Sequence, residues 1–195
     1  MRVIAGIAKG RKLKAPKGRA IRPTSDRVRE AIFSILGARA VGAAVLDLYA
    51  GTGALGIEAL SRGAGTAVFV DERREAVSLA DENLTAVGLR VKGRIIRGKV
   101  EYVVERLSRE QAHFDLIFID PPYRISVTEL SDICQKVLKD ILAVDGLMVL
   151  EHSSKLKPPV ISGSGVLSSK TYGDTAVTVY RKEGKNDDGD LPGKL

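Results

Sequence analysis

Cysteine occurs once in this sequence, at position 134, which leaves no partner for an internal disulfide and no cysteine pair for a zinc site. No apolar run is long enough to span a bilayer, and the basic N-terminus lacks the apolar core of a secretory signal. These absences predict a cytoplasmic protein. Internal repeats are missing too, and 195 residues suit one domain with a sizeable core and at most a small appendage. Cys134 falls on the stripe Leu130, Ile133, Cys134, Val137, Leu138 and Ile141, whose spacing is that of an amphipathic helix. It is expected in the core.

Excess charge is equally scarce over most of the chain. Of 31 basic and 24 acidic residues, ten basic and two acidic ones fall within residues 1–30, so the remainder holds 21 against 22 and is nearly neutral. Arg2, Arg11, Lys12, Lys14, Arg22 and Arg27 are among the ten. A charge run is more often just a solvated face, but an excess gathered on one N-terminal arm is what a polyanion-binding attachment requires. Val3, Ile4, Ile7 and Leu13, with glycines at 6, 10 and 18, predict a short folded hairpin rather than a loose tail. The chain thus divides into a basic nucleic-acid-binding hairpin at 1–22, a main domain at 23–183 and a polar, disordered tail at 184–195.

Within the main domain, Thr24 or Ser25 can cap a helix through Val28, Ala31, Ile32, Ile35 and Leu36 that Gly37 ends. Five apolar runs then alternate with helical stretches: 45–50, 67–70, 94–97, 114–119 and 146–150. Such alternation means a parallel sheet with helices on both faces. After Pro158-Pro159 the pattern changes to two strands, 166–171 and 175–182, meeting at Tyr172-Gly173-Asp174. The expected fold is α/β and Rossmann-like, a mostly parallel seven-stranded sheet with an antiparallel C-terminal hairpin and a small N-terminal β-hairpin.

Two motifs carry chemistry. The first strand runs through Asp47 into Gly51-Thr52-Gly53-Ala54-Leu55-Gly56, where glycines let backbone approach a ligand and the next helix offers unpaired N–H groups. The second strand ends at Asp71, about 20 residues after Gly51, a position from which a carboxylate can accept from ribose hydroxyls. The glycines alone match a dinucleotide fingerprint, so a nicotinamide enzyme is a rival. Asp47, placed to hold an ammonium group, favours S-adenosylmethionine, and no His, Lys or Tyr constellation for hydride transfer is present. Asp47 could instead cap the amides of its own loop.

The second motif is Asp120-Pro121-Pro122-Tyr123 at the end of the fourth strand. It could be an ordinary strand-ending turn. An exocyclic base amine, however, is a poor nucleophile until both its hydrogens are held by acceptors, and the Asp120 carboxylate and Pro121 carbonyl can be that pair. The prolines would fix the acceptors, and Tyr123 would stack on an extruded base.

These residues resemble the bacterial 16S rRNA guanine-N2 methyltransferases that modify the small-subunit guanine known as position 966. The resemblance rests on Met1-Arg2-Val3-Ile4-Ala5-Gly6 with Gly10-Arg11-Lys12-Leu13, on the segment from Arg22-Pro23-Thr24 to Phe33, on Leu46 to Gly56, and on Asp120 to Tyr123. It implies that Asp47, Gly51 and Gly53 line the methionine end of S-adenosylmethionine and Asp71 holds its ribose. Asp120 and Pro121 would grip the guanine amine beside Pro122 and Tyr123. The segment from Arg22 to Arg27, Thr24 included, would lie over the cofactor pocket or against RNA phosphate. Where the family pattern offers an acid near the adenine amine, this chain has Lys99, which cannot accept; backbone would serve, with Val100 packing on the ring.

The expectation is a monomer with no metal, methylating guanine N2 in 16S rRNA, free or in an assembled particle. A DNA adenine-N6 methyltransferase would use the same four residues, and a silent RNA-binding assembly factor would keep the fold without needing Asp47, Asp71 and Asp120.

Overall fold

The structure, a computed structural model, describes residues 1–15, 25–122 and 125–183. Ser25 opens helix α1 (Asp26–Leu36) by accepting the Val28 N–H on its hydroxyl, and Gly37 ends it at a φ of 54°. Strands and helices then alternate as read: β1 (Ala44–Leu48), α2 (Ala54–Ser61), β2 (Thr66–Asp71), α3 (Arg74–Ala86), β3 (Gly93–Arg97), α4 (Val100–Arg109), β4 (Phe114–Ile119), α5 (Val127–Lys136) and β5 (Leu142–Ser153). β6 (Ser164–Tyr172) and β7 (Thr175–Lys182) form the closing hairpin.

The sheet order is β3-β2-β1-β4-β5-β7-β6. β1 to β5 pair in parallel, and β7 lies antiparallel between β5 and β6. The strand order reverses between β1 and β4, so the crevice above their carboxyl ends is the place such a sheet offers a ligand.

Alternation along each strand feeds two apolar layers. On one face Val45, Phe69, Leu116, Phe118 and Val149 pack under α1, α2 and the end of α3. On the other, Leu46, Val70, Ile117, Ile119 and Leu150 pack against α4 and α5. Burying each large side chain contributes about 1.5–3 kcal/mol. Phe33 of α1 lies on Phe118 of β4, ring centroids 5.7 Å apart and tilted by 51°, which seats α1 on the strand that leads to Asp120. The Cys134 stripe is buried throughout, and its last residues, Val137–Ile141, widen into a π turn. Helix α2 is buried on every side, so Gly56 in it is a packing requirement. A Cβ there would sit 2.3 Å from the Phe69 ring.

The N-terminal segment is a minimal hairpin, closed by one antiparallel bridge between Arg2 and Lys12, and it packs into the main core. Val3, Ala8 and Leu13 are buried in the same layer as Phe33 and Phe118, whereas Ile7 is 76% exposed. Glu58 of α2, itself buried, accepts the N–H groups of Ile4 at 2.8 Å and Ala5 at 3.0 Å. Ser61 accepts from Ile7 and Ala8, and a Cβ on Gly6 would meet the Ser61 carbonyl at 1.8 Å. Asn83 of α3 takes the Lys14 N–H at 2.7 Å and donates to the Lys14 and Thr52 carbonyls. Arg29, counted with the charged arm from sequence, is fully buried and donates to the Arg2 carbonyl and Asp26. Thr24, Arg22, Tyr123 and the tail at 184–195 lie outside the described residues. Among the described residues, no helix is long and apolar enough to cross a membrane.

Candidate active site

Strand alternation sends Asp47, Asp71 and Asp120 to the same face of the sheet, near its carboxyl rim. Asp47 shares the face of Val45, Asp71 that of Phe69, and Asp120 that of Phe118. The glycine loop passes over them. Tyr49, Gly51 and Gly53 all have positive φ, so the chain reverses tightly here before Gly53 opens α2.

Each of the first two acids already holds one end of this loop. Asp47 Oδ2 accepts the Gly56 N–H at 2.9 Å, which is the capping role weighed from sequence. Asp71 Oδ2 accepts the Gly51 N–H at 3.0 Å. The rest of Asp71 is engaged by Arg73: its N–H and Nε donate to Oδ1 and its Nη2 to Oδ2, all within 3.0 Å. The Asp71 hydrogen bond raises the Arg73 pKa, yet the Arg73 side chain is 45% exposed. A ribose diol reaching Asp71 would therefore displace a side chain with free access to water.

Asp47 is 1% exposed, and burial holds its carboxyl well above the usual carboxylate range. The Gly56 N–H pulls it down, while the negative charges of Asp120 and Asp71 push it further up. This is an acidic, desolvated place suited to a cationic ligand. The sulfonium and ammonium of S-adenosylmethionine fit it.

Asp120 is half-buried, and its N–H donates to the Leu48 carbonyl of β1 at 3.4 Å, tying the Asp-Pro-Pro segment to the strand that carries Asp47. The Pro122 carbonyl accepts from Ile125. No hydrogen bond to the Pro121 carbonyl is made among the described residues. Asp120, Pro121 and Pro122 line a cleft together with Leu130 of α5 and with Glu151 and His152, from the end of β5. His152 uses both ring nitrogens structurally: Nδ1 donates to the Ser153 carbonyl and Nε2 accepts from the Thr178 hydroxyl. Burial lowers its pKa, which favours the neutral ring.

Val100 opens α4, and its side chain is 3% exposed and packs with Ile96 and Val103. Of the basic residues expected to meet nucleic acid, Arg2, Arg11, Lys12, Lys14 and Arg27 are exposed. Arg11 reaches the Ala86 carbonyl at 3.4 Å and Lys14 pairs with Glu82 at 2.8 Å, both at the surface where such contacts are worth little. Sequence reading did not single out Glu58, Ser61, Asn83, Arg73 or Glu151. Only Glu151 carried a usable signal, a carboxylate one residue beyond the apolar run of β5.

A sheet wound in this order, opening at the β1/β4 reversal beneath a glycine loop, is the Rossmann-like fold of class I methyltransferases. The chain is 39% identical to the putative rRNA methyltransferase YlbH of Bacillus subtilis, over 94% of this chain and 100% of that protein. It is 31% identical to the ribosomal RNA small subunit methyltransferase D of Escherichia coli K12, over 96% of this chain and 92% of that one. The solved putative methyltransferase yhhF from Escherichia coli superposes with a TM-score of 0.81 at 31% identity, covering 94% of this chain and 98% of its own. The chain belongs to the family described as conserved hypothetical protein 95, which matches residues 1–181.

Proposed function

We propose that this protein transfers a methyl group from S-adenosylmethionine to the exocyclic N2 amine of a guanine, of the position-966 type, in 16S ribosomal RNA. It acts in the cytoplasm as a monomer, on free RNA or on an assembled small-subunit particle. The observation that carries the reading is Asp120 with the Pro121 carbonyl at the β4 rim, tied through Leu48 to the strand of Asp47. The names of the bacterial relatives support ribosomal RNA as the substrate class.

When bound, the cofactor would supply an electrophilic methyl on a sulfonium and be left as a neutral thioether, the methylated amine giving up one proton to solvent. Asp47, Gly51 and Gly53 would hold its methionine end, and Asp71 its ribose in place of Arg73. The chain's own part is placement: Asp120 and the Pro121 carbonyl accept the two amine hydrogens and aim the nitrogen lone pair along the line of attack. Tyr123 flanks the base, and the exposed cations of the hairpin, with Arg22 and Arg27, hold RNA phosphate.

The test is single-turnover methyl transfer to 16S rRNA and to small-subunit particles, with a cofactor titration and a melting curve for each variant. Asp120→Ala should lose about 100-fold to 1,000-fold in turnover, the scale of one positioned electrostatic contact, while it still folds and binds cofactor. Near-normal transfer by Asp120→Ala would reduce the motif to a turn. Transfer to adenine in DNA instead would overturn the substrate.

A further inference from the structure

We infer that Glu151 reads the guanine: its carboxylate accepts from guanine N1–H while Asp120 holds the N2 amine, and so selects guanine over bases without a proton at N1. The inference rests on the guanine-N2 reading above and adds a residue to it.

The geometry comes from the β4–β5 ladder. Its last parallel pair is Ile119 with Leu150, so Asp120 and Glu151 are the next residues on two adjacent strands. Two residues back, Phe118 and Val149 both face the layer under α1. Alternation therefore carries Asp120 and Glu151 to one face, and both line the cleft to which Pro121 and Pro122 also contribute. Glu151 is half-buried, and its strand is held on the other side by β7, where it registers with Val177. A carboxylate on the middle of a sheet has a better-defined position than one on a loop.

Guanine suits two carboxylates side by side. Its Watson–Crick edge presents N1–H and the N2 amine as neighbouring donors, and a flipped base is read along that edge. Adenine presents an unprotonated N1, whose lone pair would face the Glu151 carboxylate, a repulsive contact that rejects the wrong base. Asp120 alone cannot make this distinction, because adenine also carries an exocyclic amine. Glu151 thus acts on substrate choice, and Asp120 on the reacting nitrogen.

The probe is an RNA substrate with guanine, 2-aminopurine or inosine at the target position. 2-Aminopurine keeps the N2 amine but has a bare N1, and inosine keeps N1–H but has no amine. Wild-type enzyme should methylate guanine faster than 2-aminopurine by about 10-fold to 100-fold in kcat/KM, the scale of a hydrogen bond to a charged group. Inosine should not react. In Glu151→Gln the amide can turn its N–H toward a bare N1, so the guanine preference should fall by about tenfold or more, with cofactor affinity and melting unchanged. A wild-type enzyme that treats guanine and 2-aminopurine alike overturns the inference without any variant. A folded, cofactor-binding Glu151→Gln that keeps the full preference overturns it too. If the wild type methylates neither base, the guanine-N2 reading itself has failed.

Discussion

Removing the Glu58 carboxylate should detach the basic hairpin from the domain and reveal how much the arm depends on it. Glu58 is 1% exposed and accepts three hydrogen bonds, from Ile4 N–H, Ala5 N–H and Arg62 Nε at 2.8 to 3.0 Å. Hydrogen bonds to a charged acceptor are each worth about 1.5–3 kcal/mol. Water replaces part of that where the arm is only part-buried, so Glu58→Ala should cost about 3–5 kcal/mol, the range for breaking a buried pair. In a domain of this size that is about 6–20 °C in Tm. Glu58→Gln keeps the shape but turns one amide N–H toward a backbone donor, and should cost about 2 kcal/mol. The assays are thermal melting and hydrogen exchange over residues 3 to 13, where protection should fall to the level of a frayed terminus in Glu58→Ala. If those amides stay protected and Tm moves by less than about 2 °C, the arm is held by its apolar side chains alone and the reasoning fails.

Two further results are expected. In the free protein the Asp47 carboxyl holds its proton well above the usual range, and a cationic cofactor favours the ionised form. Binding should therefore release a proton and tighten as pH rises through that raised value, seen by calorimetry in buffers of different ionisation heat; affinity flat with pH would count against it. Without cofactor the sign for folding is opposite: Asp47 favours the native state most below the usual carboxylate range and loses that contribution as pH rises through its native value. For RNA, neutralisation of about five or six phosphates gives a log–log salt slope near −4 to −5, and neutralising Arg11, Lys12 and Lys14 together should flatten it by about 2 to 3 units. An unaltered slope would mean that these cations are only a solvated face.

β1, β4 and the centre of β5 were legible because each is a mostly apolar run buried on both faces, and the Cys134 helix because its stripe keeps one spacing through the π turn. β5 was legible only at its centre. It runs on to Ser153 because β7 pairs with Glu151, His152 and Ser153, and that antiparallel support leaves no mark on those polar residues. The hairpin could be foreseen from Val3 and Leu13, but its attachment could not. Glu58 and Asn83 look like ordinary helix-surface residues until the fold brings them to the arm's backbone. Asp47 and Asp71 were visible as acids at strand ends, but their hold on Gly56 and Gly51 was visible only in part.

The attachment of the hairpin also sets an order of events during synthesis. Residues 1 to 15 leave the ribosome before their partners, which lie 53 to 69 residues further along, at Glu58, Ser61 and Asn83. The contacts to Glu58 and Ser61 cannot form until α2 has emerged, nor those to Asn83 until most of α3 has. Until then the basic segment trails free beside the ribosomal surface, and it settles among the last parts of the N-terminal half.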